Sequence, residues 1–403
     1  MKKKNKGSMP VIIYSKDDLH SIRQCVLDNA GKIKYELPFI NALCADMPVK
    51  KISKIKCNAN ISLISMDAEV SKLPIETAPI LTGPLPLAGK KNAKNKKLRK
   101  SVFSGSLCGE GVTIAIIDTG IAPHYDVIKP SNRIVAFKDF INNSMVPYDD
   151  DGHGTHVAGL AAGNGYLFGG TPIVETVREM FPDTCCSMVC MGTAPKAGIA
   201  ALKALDYEGN GNTSDILAAM QWVADNHQTY NIRVLNLSLG IDAASFDMDG
   251  DGMSDMTDPL ILGVNALFNM GITIVVAAGN SGPKAGSITS PGTSPCVITV
   301  GSINSDGEVP DFSSRGPTAT GAIKPDLLAP GMNILSLDAM TNKRYIRQSG
   351  TSMSAPSVAG AAACLHAANP KLTPTQVKEY LMRTAIPQAK VDRNAQGAGL
   401  LNL

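Results

Sequence analysis

From Gly111 onward, short apolar runs alternate with segments whose apolar positions recur at helical spacing. Residues 112–117, 198–205, 232–239, 272–277 and 297–300 are rich in β-branched side chains, which predicts strands buried on both faces. Between them, residues 154–163, 213–226 and 259–270 predict helices. Strands alternating with helices imply an α/β fold, a mostly parallel sheet with helices on both faces. Residues 351–368, small and apolar all round, predict a buried central helix, and residues 373–384, with Pro374 in the first turn, predict another.

The chain before this region has a different rhythm. Residues 10–15 form an apolar strand, and Asp17-Asp18 open a helix with Leu19, Ile22, Val26 and Leu27 on one face. Residues 37–44 read as a second strand, Met47-Pro48 start a short helix, and residues 61–66 alternate like a strand. From Leu73 to Lys100 the pattern dissolves into Pro, Gly and Lys, and Lys90, Lys91, Lys94, Lys96, Lys97, Arg99 and Lys100 form a charge run without an acid. A solvated linker has this composition, and so does a cleavable junction. The expected organisation is a small α+β domain over residues 1–75, a linker with a processing site over 76–105, and the α/β domain over 106–403.

Length and a hydrophobic fraction of 44% allow a sizeable core and more than one domain. No apolar run approaches the ~20 residues that span a membrane, so no membrane partner is expected. Met1-Lys2-Lys3-Lys4 is followed by only Val11-Ile12-Ile13-Tyr14, too short for a signal peptide. Nine scattered cysteines, an odd number, do not read as a disulfide framework. Both observations favour a cytoplasmic location, with export by another route left open. Residues 1–100 hold 20 Lys+Arg against 8 Asp+Glu, while the rest hold 18 against 27. Opposite charge favours docking of the leader on the body. The basic residues are not interleaved with aromatics, which argues against a nucleic-acid partner.

Three distant stretches carry candidate chemistry: Ile116-Ile117-Asp118-Thr119-Gly120, Asp151-Gly152-His153-Gly154-Thr155-His156 and Gly350-Thr351-Ser352-Met353-Ser354. They supply an acid, a base and a nucleophile in the order Asp, His, Ser, one of three chain orders in which this chemistry recurs. Asp118 follows an apolar strand, at the carboxyl edge of the sheet where open α/β folds place their sites. His153 and Ser352 each begin a helix. Taken singly, each is an ordinary capping residue; together they point to nucleophilic catalysis.

On these motifs, residues 111–400 resemble a subtilisin-like serine protease (subtilase) domain. Ser313-Ser314-Arg315-Gly316-Pro317 and Lys324-Pro325-Asp326-Leu327-Leu328-Ala329-Pro330-Gly331 resemble most the intracellular AprX-type branch. The resemblance implies a serine endopeptidase acting on polypeptides through an acyl-enzyme, with Asp118, His153 and Ser352 as the triad and His156 structural. It implies that Asn280, in Ala277-Ala278-Gly279-Asn280-Ser281, donates to the oxyanion together with the Ser352 N–H. It also implies that Ser238, Leu239 and Gly240 pair with one side of an extended substrate and Gly209 and Gly211 with the other, with Thr289 at the pocket base. No cofactor is needed for catalysis. The leader resembles a subtilase propeptide, an intramolecular inhibitor in a self-processing zymogen cleaved between Leu73 and Ser106. The competing class is a catalytically silent relative acting as a binding or signalling module, which usually lacks a triad member.

Two segments depart from the family pattern. Asp247, Asp249, Asp251, Asp255 and Asp258, with Gly252 at position 6, fit a calcium-loop template, and a solvated acidic turn is the other reading. Asp126 matches a further calcium-ligand position. Residues 169–191 look inserted, with a helical apolar face followed by Cys185, Cys186 and Cys190, read as a cover helix with buried thiols or as a partner-docking surface. Cys296 and Cys364 are expected in the core.

Overall fold

The computed structural model describes residues 7–77, 108–168, 191–241 and 258–402. The Lys90–Lys100 run, most of the 169–191 segment and Asp247, Asp249, Asp251 and Asp255 lie outside them.

The leading unit is an antiparallel sheet of β1 (Ser8–Ser15), β2 (Lys32–Leu37), β3 (Ala42–Pro48) and β4 (Ile61–Met66) in the order β2-β3-β1-β4. Successive side chains of β1 face opposite ways. Val11 and Ile13 pack under the helices Leu19–Asp28 and Val49–Lys56, against Ile22, Val26, Ile52 and Ile55. Ile12 and Tyr14 face the body and join Leu217, Met220, Leu260 and Val264. Both faces are buried, so β1 reads as a continuous apolar run.

Two expectations fail here. Residues 37–44 are not one strand: β2 ends at Leu37, a 3-10 turn covers Pro38–Ile40, and Asn41 takes a left-handed φ of 54° before β3 begins. Pro38 has no N–H to donate to a ladder, and Asn tolerates the left-handed region. Leu27 is 48% exposed, off the face set by Ile22 and Val26.

The tail of the leader adds two short strands, β5 (Glu69–Lys72) and β6 (Glu76–Thr77). The body follows with β7 (Thr113–Asp118), β8 (Ile134–Asp139), β9 (Gly198–Lys203), β10 (Asn210–Asn212), β11 (Ile232–Leu237), β12 (Leu239–Gly240), β13 (Thr273–Ala277), β14 (Ile298–Ile303), β15 (Leu327–Pro330), β16 (Ile334–Leu337) and β17 (Tyr345–Ser349). Its centre is a parallel sheet in the order β15-β14-β13-β11-β7-β9-β8. Along β7, Ile114 and Ile116 pack with Val157, Ala161, Met353 and Val358 of the helices His153–Ala162 and Thr351–Ala368. Ala115 and Ile117 pack on the other face with Ile216, Met220 and Val264 of the helices Thr213–Asn226 and Pro259–Asn269. A three-layer α/β domain preceded by a small α+β subdomain is therefore the architecture.

Polar contacts join the leader to the body. Lys34 pairs with Asp215 at 2.9 Å and donates to Ser214 Oγ at 2.8 Å, and the Tyr35 hydroxyl donates to Asp215 at 2.8 Å. The Ser214 N–H donates to Asp67 at 2.7 Å and the Thr213 N–H to the Ala68 carbonyl at 2.9 Å.

Candidate active site

Asp118 is the last residue of β7, and Ser238 follows β11 on the adjacent strand, where Leu237 lies in register with Ile117. Neighbouring strands are about 4.8 Å apart, so the two positions sit side by side at the carboxyl edge of the sheet. Each holds one partner. His153 Nδ1–H donates to Asp118 Oδ1 at 2.7 Å, both side chains being at most 1% exposed. Ser352 Oγ donates to the Ser238 carbonyl at 3.2 Å, from the first turn of the helix Thr351–Ala368. His153 Nε2 is buried and meets no hydrogen-bond partner among the described residues. The acid and base are thus joined, and the serine lies at their edge with its hydroxyl turned to a carbonyl.

A dense set of contacts fixes His153. A Cβ added at Gly154 would come within 2.3 Å of the Gly120 carbonyl and 3.2 Å of Asp118 Cβ, so only glycine lets the helix start this close to the acid. The Gly154 N–H donates to Thr119 Oγ1, whose hydroxyl donates to Asp149; Asp149 also accepts from Gly152 N–H and from the N–H and hydroxyl of Thr155. Lys203 is fully buried and donates to the Thr119 and Leu205 carbonyls and to Asp150. Sequence reasoning missed Lys203 and Asp149; the available signal was a lysine closing an otherwise apolar strand.

Burial pulls the His153 pKa down, but the charge and hydrogen bond of Asp118 outweigh it and leave the imidazole above the ordinary histidine value. His156 behaves oppositely. Burial and then the nearby His153 hold it down at about 3, and its Nε2–H donates to the Ile334 and Ile346 carbonyls. A neutral histidine bridging two strands is a structural one.

Asn280 is tightly placed: its Oδ1 accepts from the Thr351 N–H at 2.9 Å and hydroxyl at 2.8 Å, which leaves its amide pointing outward. That amide donates to the Pro74 carbonyl at 2.5 Å. The leader tail lies along the cleft. β5 pairs antiparallel with β10 on one side, Gly211 opposite Val70, and with β12 on the other, Leu239 opposite Lys72 and Gly240 opposite Ser71. The Lys72 N–H donates to the Gly209 carbonyl at 2.8 Å. Leu73, 4% exposed, lies beside Gly240, where an added Cβ would meet Thr289 Oγ1 at 2.5 Å and Leu73 Cδ2 at 3.2 Å. Beyond Pro74, β6 pairs with β17. Of the residues expected to hold a substrate, Leu239, Gly240, Gly209 and Gly211 therefore meet residues 69–77 of the chain itself.

The metal candidates fare differently. Asp258 caps the helix Pro259–Asn269, accepting the Leu260 and Ile261 N–H groups. Asp126 accepts from the Tyr345 hydroxyl at 2.8 Å and the Leu167 N–H at 3.1 Å. Among the described residues, no cluster of His, Cys, Asp or Glu could hold a metal ion. Cys364 is buried and Cys296 half-buried.

Residues 109–401 match the model of the Subtilase family. The serine protease AprX of Bacillus subtilis (strain 168) is 33% identical over 432 aligned residues, covering 100% of this chain and 88% of the relative. Subtilisin Savinase of Lederbergia lenta is 31% identical, covering 73% of this chain and 90% of the relative. The crystal structure of a cold adapted subtilisin-like serine proteinase superposes with a TM-score of 0.56 at 31% identity, over 73% of this chain and 90% of that one.

Proposed function

The chain belongs to the subtilase family and is a subtilisin-like serine endopeptidase, and from that premise we propose which residues carry the chemistry and what restrains it. Ser352 is the nucleophile, His153 the base and then the acid, and Asp118 the group that fixes the His153 tautomer and stabilises the imidazolium. The observation that carries this reading is the buried 2.7 Å bond between Asp118 and His153 beside a serine at the head of a helix.

A serine hydroxyl needs its proton removed before it attacks. Turning Ser352 Oγ from the Ser238 carbonyl to His153 Nε2 supplies that acceptor. Attack on a peptide carbonyl then forms a tetrahedral intermediate, whose oxyanion takes hydrogen bonds from Asn280 Nδ2 and the Ser352 N–H. His153 returns the proton to the departing amine, and water repeats the sequence on the acyl-enzyme. No cofactor enters. A calcium ion in this reading is purely structural, on Asp247, Asp249, Asp251 and Asp255, whose carboxylates suit it. Asp258 fits less well, because its Oδ1 already accepts two backbone N–H groups.

The leader is an intramolecular inhibitor in a self-processing zymogen, cut between Leu73 and Ser106. This is supported by the seat of β5 between β10 and β12 and by the Pro74 carbonyl on the oxyanion amide. Membership of the AprX-type branch is supported by a match to the Bacillus subtilis protein that runs through the leader as well as the body. Six unpaired cysteines among the described residues agree with work in a reducing, cytoplasmic compartment.

Intact-mass analysis of full-length protein treated with a fluorophosphonate tests the reading. Wild type should carry the label and lose its leader, and Ser352→Ala should do neither. A wild type that stays unlabelled as well as uncut would favour the silent binding module.

A further inference from the structure

The leader tail carries a proline past the catalytic serine. β5 ends at Lys72 and β6 begins at Glu76, so Leu73, Pro74 and Ile75 cross from β12 to β17. Leu73 is buried beside Gly240 and Thr289. The Pro74 carbonyl accepts from the Asn280 amide. A Cβ added at Gly350, close before Ser352 in the chain, would come 3.4 Å from Ile75 Cγ2. The tail thus runs through the cleft, paired on both sides of the serine, instead of ending at it.

Neither bond flanking Pro74 is seated for cleavage. Acyl transfer needs the carbonyl on the oxyanion donor to belong to the residue whose side chain fills the pocket. Here that carbonyl is Pro74's, while the pocket holds Leu73, the residue before it. Bringing the Leu73 carbonyl to Asn280 would place the Leu73–Pro74 bond at the serine. Its departing nitrogen belongs to the pyrrolidine ring, already bonded to Cδ, and the ring crowds the path of the His153 proton. Drawing Pro74 into the pocket would pull Val70, Ser71 and Lys72 out of register with Gly211, Gly240 and Leu239. Ser352 Oγ, turned to the Ser238 carbonyl, is aimed at neither bond.

We propose that residues 69–77 are a strap the enzyme does not cut, that Pro74 keeps it whole, and that the activating cut falls beyond Thr77 and is made by a second, already processed copy of this chain. With the strap seated on both sides of the serine, no later bond of the same chain enters its own cleft. A processed copy has an open cleft, and a neighbour's chain beyond Thr77 is its substrate. The cut is ordinary hydrolysis: one peptide bond and one water give a carboxylate on the departing leader and an amine on the body. This inference rests on the peptidase and zymogen reading and names how that same site is switched on.

Intact-mass time courses of the full-length chain read both parts. The first shortened product of wild type should begin after Thr77. At two concentrations about tenfold apart, its half-time should be about tenfold longer at the lower one, because the cut is bimolecular. Full-length Ser352→Ala, which cannot cut itself, should stay whole alone and give the same product once a trace of processed wild type is added. In Pro74→Ala, a change at an exposed side chain, the product should begin at residue 74, and its half-time should no longer depend on dilution. A wild-type product beginning at or before Thr77 would overturn the proposal and leave the peptidase standing. So would a wild-type half-time indifferent to dilution, a Ser352→Ala chain left whole beside processed wild type, or Pro74→Ala processed as wild type is. A wild type that takes the fluorophosphonate label but is never shortened would overturn it as well. Neither shortening nor label would instead overturn the peptidase reading and this inference with it.

Discussion

Asp118, His153 and Ser352 stand at the ends of central strands and helices and are at most 1% exposed, whereas the segment above them is held by strands of four and two residues, the first between β10 and β12 and the second beside β17. The first region is fixed from all sides: Lys203, Asp149, Thr119 and Thr155 pin the loops that carry the acid and the base. The second hangs from backbone pairing, the buried side chains of Val70 and Leu73 and a few polar tips. Packing on both faces makes a site that keeps its geometry through many turnovers, while edge pairing makes a contact that can be released. The leader adds an apolar face, Ile12, Tyr14, Leu37 and Cys44 against the helices Thr213–Asn226 and Pro259–Asn269. That face anchors the leader away from the cleft. On the proposed inhibitor reading, the tail then only has to occupy the site, and a weak strand suffices.

The largest expected effect comes from breaking the fixed region at its acid. Asp118→Asn keeps the shape but removes the charge that holds the tautomer, and should lower kcat by about 10⁴. Its pH profile sharpens the point. His153 works only when neutral, so wild-type kcat/KM should fall as pH drops through the His153 pKa, which Asp118 holds above the ordinary histidine value. In Asp118→Asn the raising influence is gone and burial remains, so the residual activity should persist to lower pH than in wild type. An acid limb unmoved by the substitution would contradict the coupling.

The two regions also differ in how legible they were. The helices Thr213–Asn226 and Thr351–Ala368 were readable to the residue, because small and apolar positions, an Asp in the first turn and a flanking Gly or Asn mark them locally. Asp118, His153 and Ser352 sit in glycine-flanked motifs whose local chemistry is visible in the chain. Lys203 and Asp149 were missed, because their partners lie 53 and 30 residues away and a lone charge at a strand or loop end has no periodicity. The turn at Pro38–Ile40 was lost for a related reason: apolar side chains continue across it, and only Pro38 and Asn41 mark the break. The seat of residues 69–77 was foreseen only through resemblance, since strands of four and two residues are too short to show a hydrophobic period of their own.

Asn280 touches both regions at once, which makes it the next test of the contrast. Its Oδ1 is anchored to Thr351 in the fixed part, and its amide meets Pro74 in the releasable part. Asn280→Ala should lower kcat by about 10²–10³ with little change in KM, the size known for such a donor in a subtilisin. It should also slow the loss of the leader, because self-cleavage needs the same donor. Intact mass followed over time reads both effects on one sample. Slow turnover of peptides with undelayed processing would mean that the leader is cut by another route.

The smallest expected effect lies wholly in the releasable region. The helix Thr213–Asn226 has no side-chain cap of its own: Asn212 stands at the N-cap without a capping bond. Asp67 and the Ala68 carbonyl, both from the leader, receive the Ser214 and Thr213 N–H groups instead. The leader thus completes a helix of the domain it covers, and in the zymogen reading its departure would expose those donors to water rather than leave them buried and unmet. Replacing an N-cap side chain by alanine costs about 1 kcal/mol, so Asp67→Ala should weaken the leader's hold roughly fivefold. In a time course of full-length protein, that shortens the lag before activity appears and leaves the final kcat where it was, since Asp67 is absent from the processed enzyme. A changed final kcat would mean that the leader shapes the catalytic floor as well as covering it, and the division between a fixed site and a removable cover would not hold.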